Sequence, residues 1–253
     1  MEHGSKSSAL NFGMIVLGAL AILTAIEFAI AITINIWQVL ALIPILKALL
    51  VGYYYMHITR VFEEDKDANR ESFSYKLATN RIGLWLFLIS DSFIFGGLMI
   101  SRINLLGLTR PDLIQVLGLG VTSVLLISSF FANRAEVSME YGDRKRFIRS
   151  ISAAIGLGVL FLIGVLGVEW RLAPFGPETN LAGAVFYVMT GFHAFHVFTG
   201  VIFLVIVLRN GLHGLYSAEK HWAVEASAVY WHFVDVVWFF FYPALYLIGT
   251  LAQ

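Results

Sequence analysis

Glu27, Lys47, Asp91, His193, His196, His232 and Asp235 interrupt stretches of sequence that are otherwise almost wholly apolar, and Glu225 stands just before the last such stretch. These residue types can carry protons, pair as ions, bind a metal or hold a haem. Their spacing narrows the choice. His193 and His196 are three residues apart, as are His232 and Asp235, so each pair shares one side of a helix. Glu27 and Lys47 belong to neighbouring stretches joined by a very short turn near 35–37, which brings opposite charges to similar depth. That arrangement reads either as a proton-linked site or as an interhelical ion pair pinning two helices. Asp91 lies about 15 Å, at 1.5 Å per residue, beyond Arg81. It could carry a proton and react with a carbodiimide, or make one protonated helix–helix hydrogen bond. With His193, His196, Glu225, His232 and Asp235 it could line one polar seam.

The elements that must position these groups follow from composition. Of 253 residues, 58% are hydrophobic and 13% charged, and 17 basic residues balance 17 acidic ones. Mean hydropathy is +0.78. Such a chain is not disordered. Without cysteine, a disulfide scaffold and cysteine-ligated zinc, iron–sulfur or binuclear copper sites are excluded. Zero net charge argues against a nucleic-acid partner. Apolar runs at 14–34, 37–56, 82–101, 113–131, 147–168, 181–208 and 226–247 have the length that crosses a bilayer. They are continuous rather than alternating, which selects helices over barrel strands. The expected fold is therefore an all-α polytopic membrane protein with seven transmembrane helices. The first run is of spanning length and has no small-residue cleavage site, so it reads as a true span rather than a signal peptide.

Charge sets the expected orientation. Thirteen Lys and Arg residues fall on the side of the N-terminus and the even-to-odd connections, against Arg102, Arg110 and Arg171 on the other side. The bias puts the N-terminus in the cytoplasm and the C-terminus in the periplasm. The polar stretch 60–80 reads as a cytoplasmic linker between a two-helix hairpin (1–59) and a five-helix bundle (81–253). The connection WRLAPFGPETN carries two of the five prolines and should cap the sixth helix through Asn180. Arg209 and His213, at the cytoplasmic end of that helix, suit a lipid phosphate or ordinary positive-inside decoration. No metal site is expected. Using His193, His196 and His232 as haem ligands would crowd the haem against Trp231, Phe233, Phe192 and Phe195.

The chain from about 81 to 253 resembles subunit III of the haem–copper respiratory oxidases. The residues that carry the likeness are TGFHAFHVFTGVIFL at 190–204, VEASAVYWHFVDVVWFFFYP at 224–243, RIGLWLFLISDSFIFGG at 81–97, SSFFANRAEVSMEYGDRKRFIRS at 128–150 and GVEW at 167–170. The resemblance implies an accessory subunit with no redox centre or catalytic residue of its own. It would bind structural phospholipid and support stability, sustained turnover and proton uptake of a catalytic subunit that carries haem and copper. Its partners would be oxidase subunits I and II, with room for a larger respiratory supercomplex, in a bacterial plasma (inner) membrane. The family's carbodiimide-reactive carboxylate falls on Asp91, its buried pair in the last helix on His232 and Asp235, its lipid-phosphate arginine on Arg209, and its acidic residue before that helix on Glu225. The two leading helices of the long family form are absent. In their place LTAIEFAIA at 23–31 and LIPILKALLVGYYYMHI at 42–58 are similar to the small bacterial subunit IV, which implies a IV–III fusion. A quinol oxidase of the same superfamily and a haem-carrying membrane cytochrome are the alternatives. A proton-coupled transporter would show inverted repeats, and none is visible.

Overall fold

The computed structural model describes residues 6–34, 36–62 and 73–251. Asn35, in the turn near 35–37, and Lys66 and Arg70, two of the thirteen basic residues, lie outside these residues. Helix α1 covers Lys6–Thr33 and α2 Trp37–Tyr54; a 3-10 turn, Ile58–Phe62, follows. Helix α3 runs over Phe73–Leu106 and α4 over Gln115–Glu140. Helix α5 begins at Arg144–Leu162, continues through a π-wound segment, Ile163–Glu169, and ends with Trp170–Leu172. Helix α6 is Leu181–Leu212, and α7 is Trp222–Tyr242 extended by a π-turn, Pro243–Leu247. Among the described residues seven helices are long and apolar enough to cross a membrane, as the apolar runs predict.

Several boundaries differ from the hydropathy reading. Helix α3 starts within the polar stretch 60–80, because 73–80 contains neither Gly nor Pro to break a helix before Arg81. Helix α4 runs on to Glu140, beyond the apolar limit at 131, and stops where Gly142 takes a positive φ of 72°. Asp143 then caps α5 by accepting from the backbone N–H of Arg146 at 3.0 Å. Asn180 caps α6 as expected, its Oδ1 accepting from the N–H of Gly183 at 2.6 Å.

Helix α7 is the centre of the molecule and is packed by α2, α3, α4 and α6. Helix α1 lies outside α2 and α4, and α5 outside α4 and α6. The large rings of α7 need small neighbours to sit this close. Trp231 is clamped between Gly158 of α5 and Gly200 of α6, where an added Cβ would stand 2.5 Å and 2.9 Å from its ring. Small residues at such contacts let helix backbones approach in lipid, where hydrophobicity alone gives no preference for protein. Each indole N–H in this core also has a hydroxyl partner on another helix: Trp231 on Ser128 at 3.2 Å, Trp238 on Thr122 at 2.9 Å and Trp170 on Thr190 at 3.0 Å.

One end of the bundle is closed by a feature that hydropathy does not reveal. Thr109–Arg110 (β1) pairs in parallel with Thr250–Leu251 (β2). Arg102, only 2% exposed, ties this closure together. Its guanidinium donates to the carbonyls of Ala244 at 2.8 Å, Gly107 at 2.6 Å and Thr109 at 2.8 Å. A charged donor satisfying three carbonyls fixes α3, the following loop and the chain end in one geometry. Arg102→Ala should therefore lower stability by at least about 2 kcal/mol, since it removes charged hydrogen bonds and strands buried carbonyls. The measurement is the thermal midpoint of the purified protein followed by circular dichroism in detergent; an unchanged midpoint would remove Arg102 from this role.

Candidate functional site

The polar groups of the spans do not gather into one seam. They settle at separate places around α7, because residues three apart on a helix differ by about 60° in direction and meet different neighbours.

Asp91 of α3 faces His196 of α6, with Oδ2 and Nε2 3.3 Å apart. The other ring nitrogen of His196 is bonded to the carbonyl of Phe192 at 2.8 Å, so it carries the hydrogen. The edge of His196 against Asp91 is thus free to share a proton with the carboxyl group. Phe95 packs edge-on against His196 at 4.7 Å between ring centres.

His232 and Asp235 turn toward α4. Ser129 Oγ is hydrogen bonded to His232 Nδ1 at 2.7 Å, and Asp235 Oδ2 lies 3.8 Å from the same nitrogen. The ring of Tyr55, at the end of α2, stacks at 5.0 Å on His232, and its hydroxyl donates to the carbonyl of Gly13 on α1 at 2.8 Å. His193 points elsewhere: it stacks on Trp238 at 4.8 Å and meets Phe161 edge-on at 5.6 Å.

Glu225 is held at the arginine end of the bundle. Arg81 grips it with two hydrogen bonds, at 2.8 Å and 3.1 Å, the fork geometry that suits a carboxylate. Arg60 stands 3.9 Å from Glu225, 3.8 Å from Glu136 and 3.3 Å from Glu140. His57 completes the cluster 3.9 Å from Glu136, on backbone with a positive φ of 47° that turns the chain out of α2. Burial, aided by Arg60 and Arg81, pushes its imidazole down to about 4, so His57 is neutral at ordinary pH. The cluster borders a cavity of about 700 Å³ between the ends of α1, α2, α4 and α7.

Glu27 and Lys47 meet between α1 and α2, Nζ to Oε2 at 2.5 Å, with both side chains fully buried. The ammonium also lies 5.4 Å above the ring of Phe239 on α7. Arg209 and His213 are exposed at the end of α6, where His213 Nδ1 bonds the carbonyl of Arg209 at 2.7 Å.

An apolar groove separates α2 from α3. Its wider part, about 440 Å³, lies among Leu49 and Tyr53 of α2, Trp85 and Ile89 of α3, and Phe233 and Val236 of α7. A second part of about 340 Å³ shares Ser92, Phe233, Val236 and Phe240 with the first and continues past Phe95 and Met99. The floor is α7 throughout. Met56 and Trp85 separate the groove's end from Arg60, Arg81 and Glu225.

Three buried ionisable groups escape the sequence reading. Glu136 and Glu169 lie beyond the apolar runs at 113–131 and 147–168, yet their helices carry them into the core, to 1% and 4% exposure. Glu169 accepts from the hydroxyl of Tyr246 at 2.7 Å. Arg102 reads as an ordinary loop charge. The motif SSFFANRAEVSME offers the only signal for Glu136, since it contains no helix breaker before Gly142.

Comparison with known proteins accords with this architecture. The family model for cytochrome c oxidase subunit III matches residues 6–250, hairpin included. Cytochrome c oxidase subunit 3 of Thermostichus vulcanus is 35% identical over 175 residues, covering 66% of this chain and 86% of the relative. That of Sus scrofa is 37% identical over 183 residues, covering 67% and 70%. That of Ceratotherium simum is 36% identical over 183 residues, again covering 67% and 70%. A seven-helix bundle of this kind, matched by the family model over nearly its whole length, belongs to the cytochrome c oxidase subunit III family.

Proposed function

We propose that the chain is an accessory, non-redox subunit of cytochrome c oxidase that holds phospholipid and sustains turnover and proton uptake of the catalytic subunit. Family membership implies association with the other oxidase subunits. In this reading haem and copper reside in the catalytic partner, and subunits I and II flank this one in a bacterial plasma membrane. The N-terminus faces the cytoplasm, consistent with the basic residues at the arginine end.

The observation that carries the lipid role is the groove between α2 and α3. It is long, almost entirely apolar, open along its side and floored by aromatic and branched side chains of α7. An acyl chain matches that lining. Helix α2 supplies one wall, which supports reading the hairpin as a subunit IV-like unit standing where the long family form has its two leading helices. On the 1–59, 60–80 and 81–253 division, the groove lies at the joint between the fused units. Arg209 and His213 are exposed and can meet a headgroup at the membrane surface. Asp91, 3.3 Å from His196 and beside Phe95, suits a carboxyl group that exchanges protons with its surroundings, consistent with carbodiimide reactivity.

Gly52 and Gly96 line the groove, and neither has any atom within 4 Å of where a Cβ would be. Gly52→Leu and Gly96→Leu therefore fill the groove without overpacking the bundle. Native mass spectrometry of the purified complex should show phospholipid lost from both variants, with haem and copper content unchanged. Full lipid retention in both would defeat the lipid role. Arg209→Ala should lose headgroup-dependent lipid in the same assay. Asp91→Ala should assemble with normal metal content but inactivate several-fold faster during turnover, or take up protons more slowly; wild-type behaviour through prolonged turnover would remove Asp91 from the proposal.

A further inference from the structure

The buried ionisable groups of α7 and its neighbours form a file that runs from one end of the bundle to the other. His232, Asp235, Phe239, Tyr242 and Tyr246 succeed one another every three or four residues and so share a face of α7. At the arginine end the file begins with His57, which lines the cavity of about 700 Å³, and Glu136, 3.9 Å from it, and continues beside the ring of Tyr55 to His232, Ser129 and Asp235. At the other end Tyr242 stacks at 5.6 Å on Tyr246, which bonds Glu169, and both Tyr246 and Glu169 border a small surface cavity of about 20 Å³.

Many atoms along this face have no hydrogen-bond partner in the protein. They include both oxygens of Glu136, both of Asp235, Nε2 of His232, the hydroxyl of Tyr242 and Oε1 of Glu169. Buried polar atoms recruit water when no protein group serves them. Carboxyl, imidazole, hydroxyl and water each accept and donate, so a file of them passes protons. A continuous file between two faces of a membrane would dissipate the gradient that an oxidase builds.

The Glu27–Lys47 pair interrupts it. Lys47 lies over Phe239, between Asp235 and Tyr242 along the face. Its ammonium donates and has no lone pair with which to accept, so no proton passes through it. We propose that the Glu27–Lys47 pair is a proton plug, separating two proton-accessible half-files that lie along α7. The inference rests on the chain being assembled in the oxidase and is independent of whether the groove holds lipid.

The test uses the whole oxidase reconstituted in liposomes with a trapped pH indicator, without electron donor and with valinomycin present. After an acid jump the wild-type complex should stay tight. Glu27→Gln/Lys47→Gln keeps a hydrogen bond between α1 and α2 but removes both charges, and should raise the passive proton leak several-fold with potassium leakage unchanged. Lys47→Arg should remain tight, because the cation is kept. Adding Asp235→Asn to the neutral pair should return the leak towards the wild-type value by removing a member of the file; a packing defect would not be repaired by a further substitution. If the double variant fails to assemble, Glu27→Met/Lys47→Met, which also removes both charges, gives the same reading. A tight neutral pair, a leak shared by potassium, or a leak indifferent to Asp235→Asn would overturn the plug. Lipid retained in these preparations is read separately by mass spectrometry, so failure of the plug leaves the groove result intact.

Discussion

Lipid hydrocarbon offers a polar group nothing to bond, so the polar groups this chain carries into its spans turn inward, and several of them meet a partner from another helix. That requirement organises the bundle. Lys47 of α2 has Glu27 of α1, Asp91 of α3 has His196 of α6, and His232 of α7 has Ser129 of α4. Each pairing also fixes which helices are neighbours, since the hydrophobic effect that selects partners in water is absent between apolar helices in lipid. Close packing then completes the work through Gly158 and Gly200 against Trp231.

The same requirement explains why α7 lies in the centre. It carries Glu225, His232 and Asp235, whose partners lie on other helices, together with Trp231 and Trp238, whose indole N–H groups must be satisfied. Helix α3 makes few such demands beyond Asp91 and Arg102, and it stands away from α2. The space between them becomes the apolar groove. A lipid-sized groove and a charged cluster therefore arise side by side, separated by Met56 and Trp85, from one division of labour among the helices.

Membership of an oxidase subunit family gives these buried groups a setting in which proton traffic matters. The bundle holds carboxyl groups in two kinds of surroundings. Glu225 is locked by Arg81 in a fork that leaves it little freedom. Asp235, Glu136 and Glu169 keep oxygens with no hydrogen-bond partner in the protein. Fixed ions serve architecture, whereas under-satisfied carboxyl groups are the ones able to exchange a proton.

Seven spans were legible in the amino-acid sequence because the length of an apolar run is a one-dimensional property, and the bilayer thickness converts it directly into a helix. The Asn180 cap was legible for a similar reason: a cap acts within its own turn. The Glu27–Lys47 meeting could be anticipated because the short turn near 35–37 leaves two helices little choice but to lie antiparallel. The motifs of 81–97, 128–150 and 190–243 likewise pointed to the family. Other features had no local signature. Glu136 and Glu169 look like loop residues until their helices extend past the apolar limit, and Arg102 becomes buried only when the chain end returns to pair with Thr109–Arg110. The scatter of His193, His196 and His232 among different neighbours, the groove between α2 and α3, and the file along α7 were decided by tertiary structure alone. Each depends on the rotation and separation of helices distant in sequence, and those are settled by side-chain packing between them rather than by any residue's own preference.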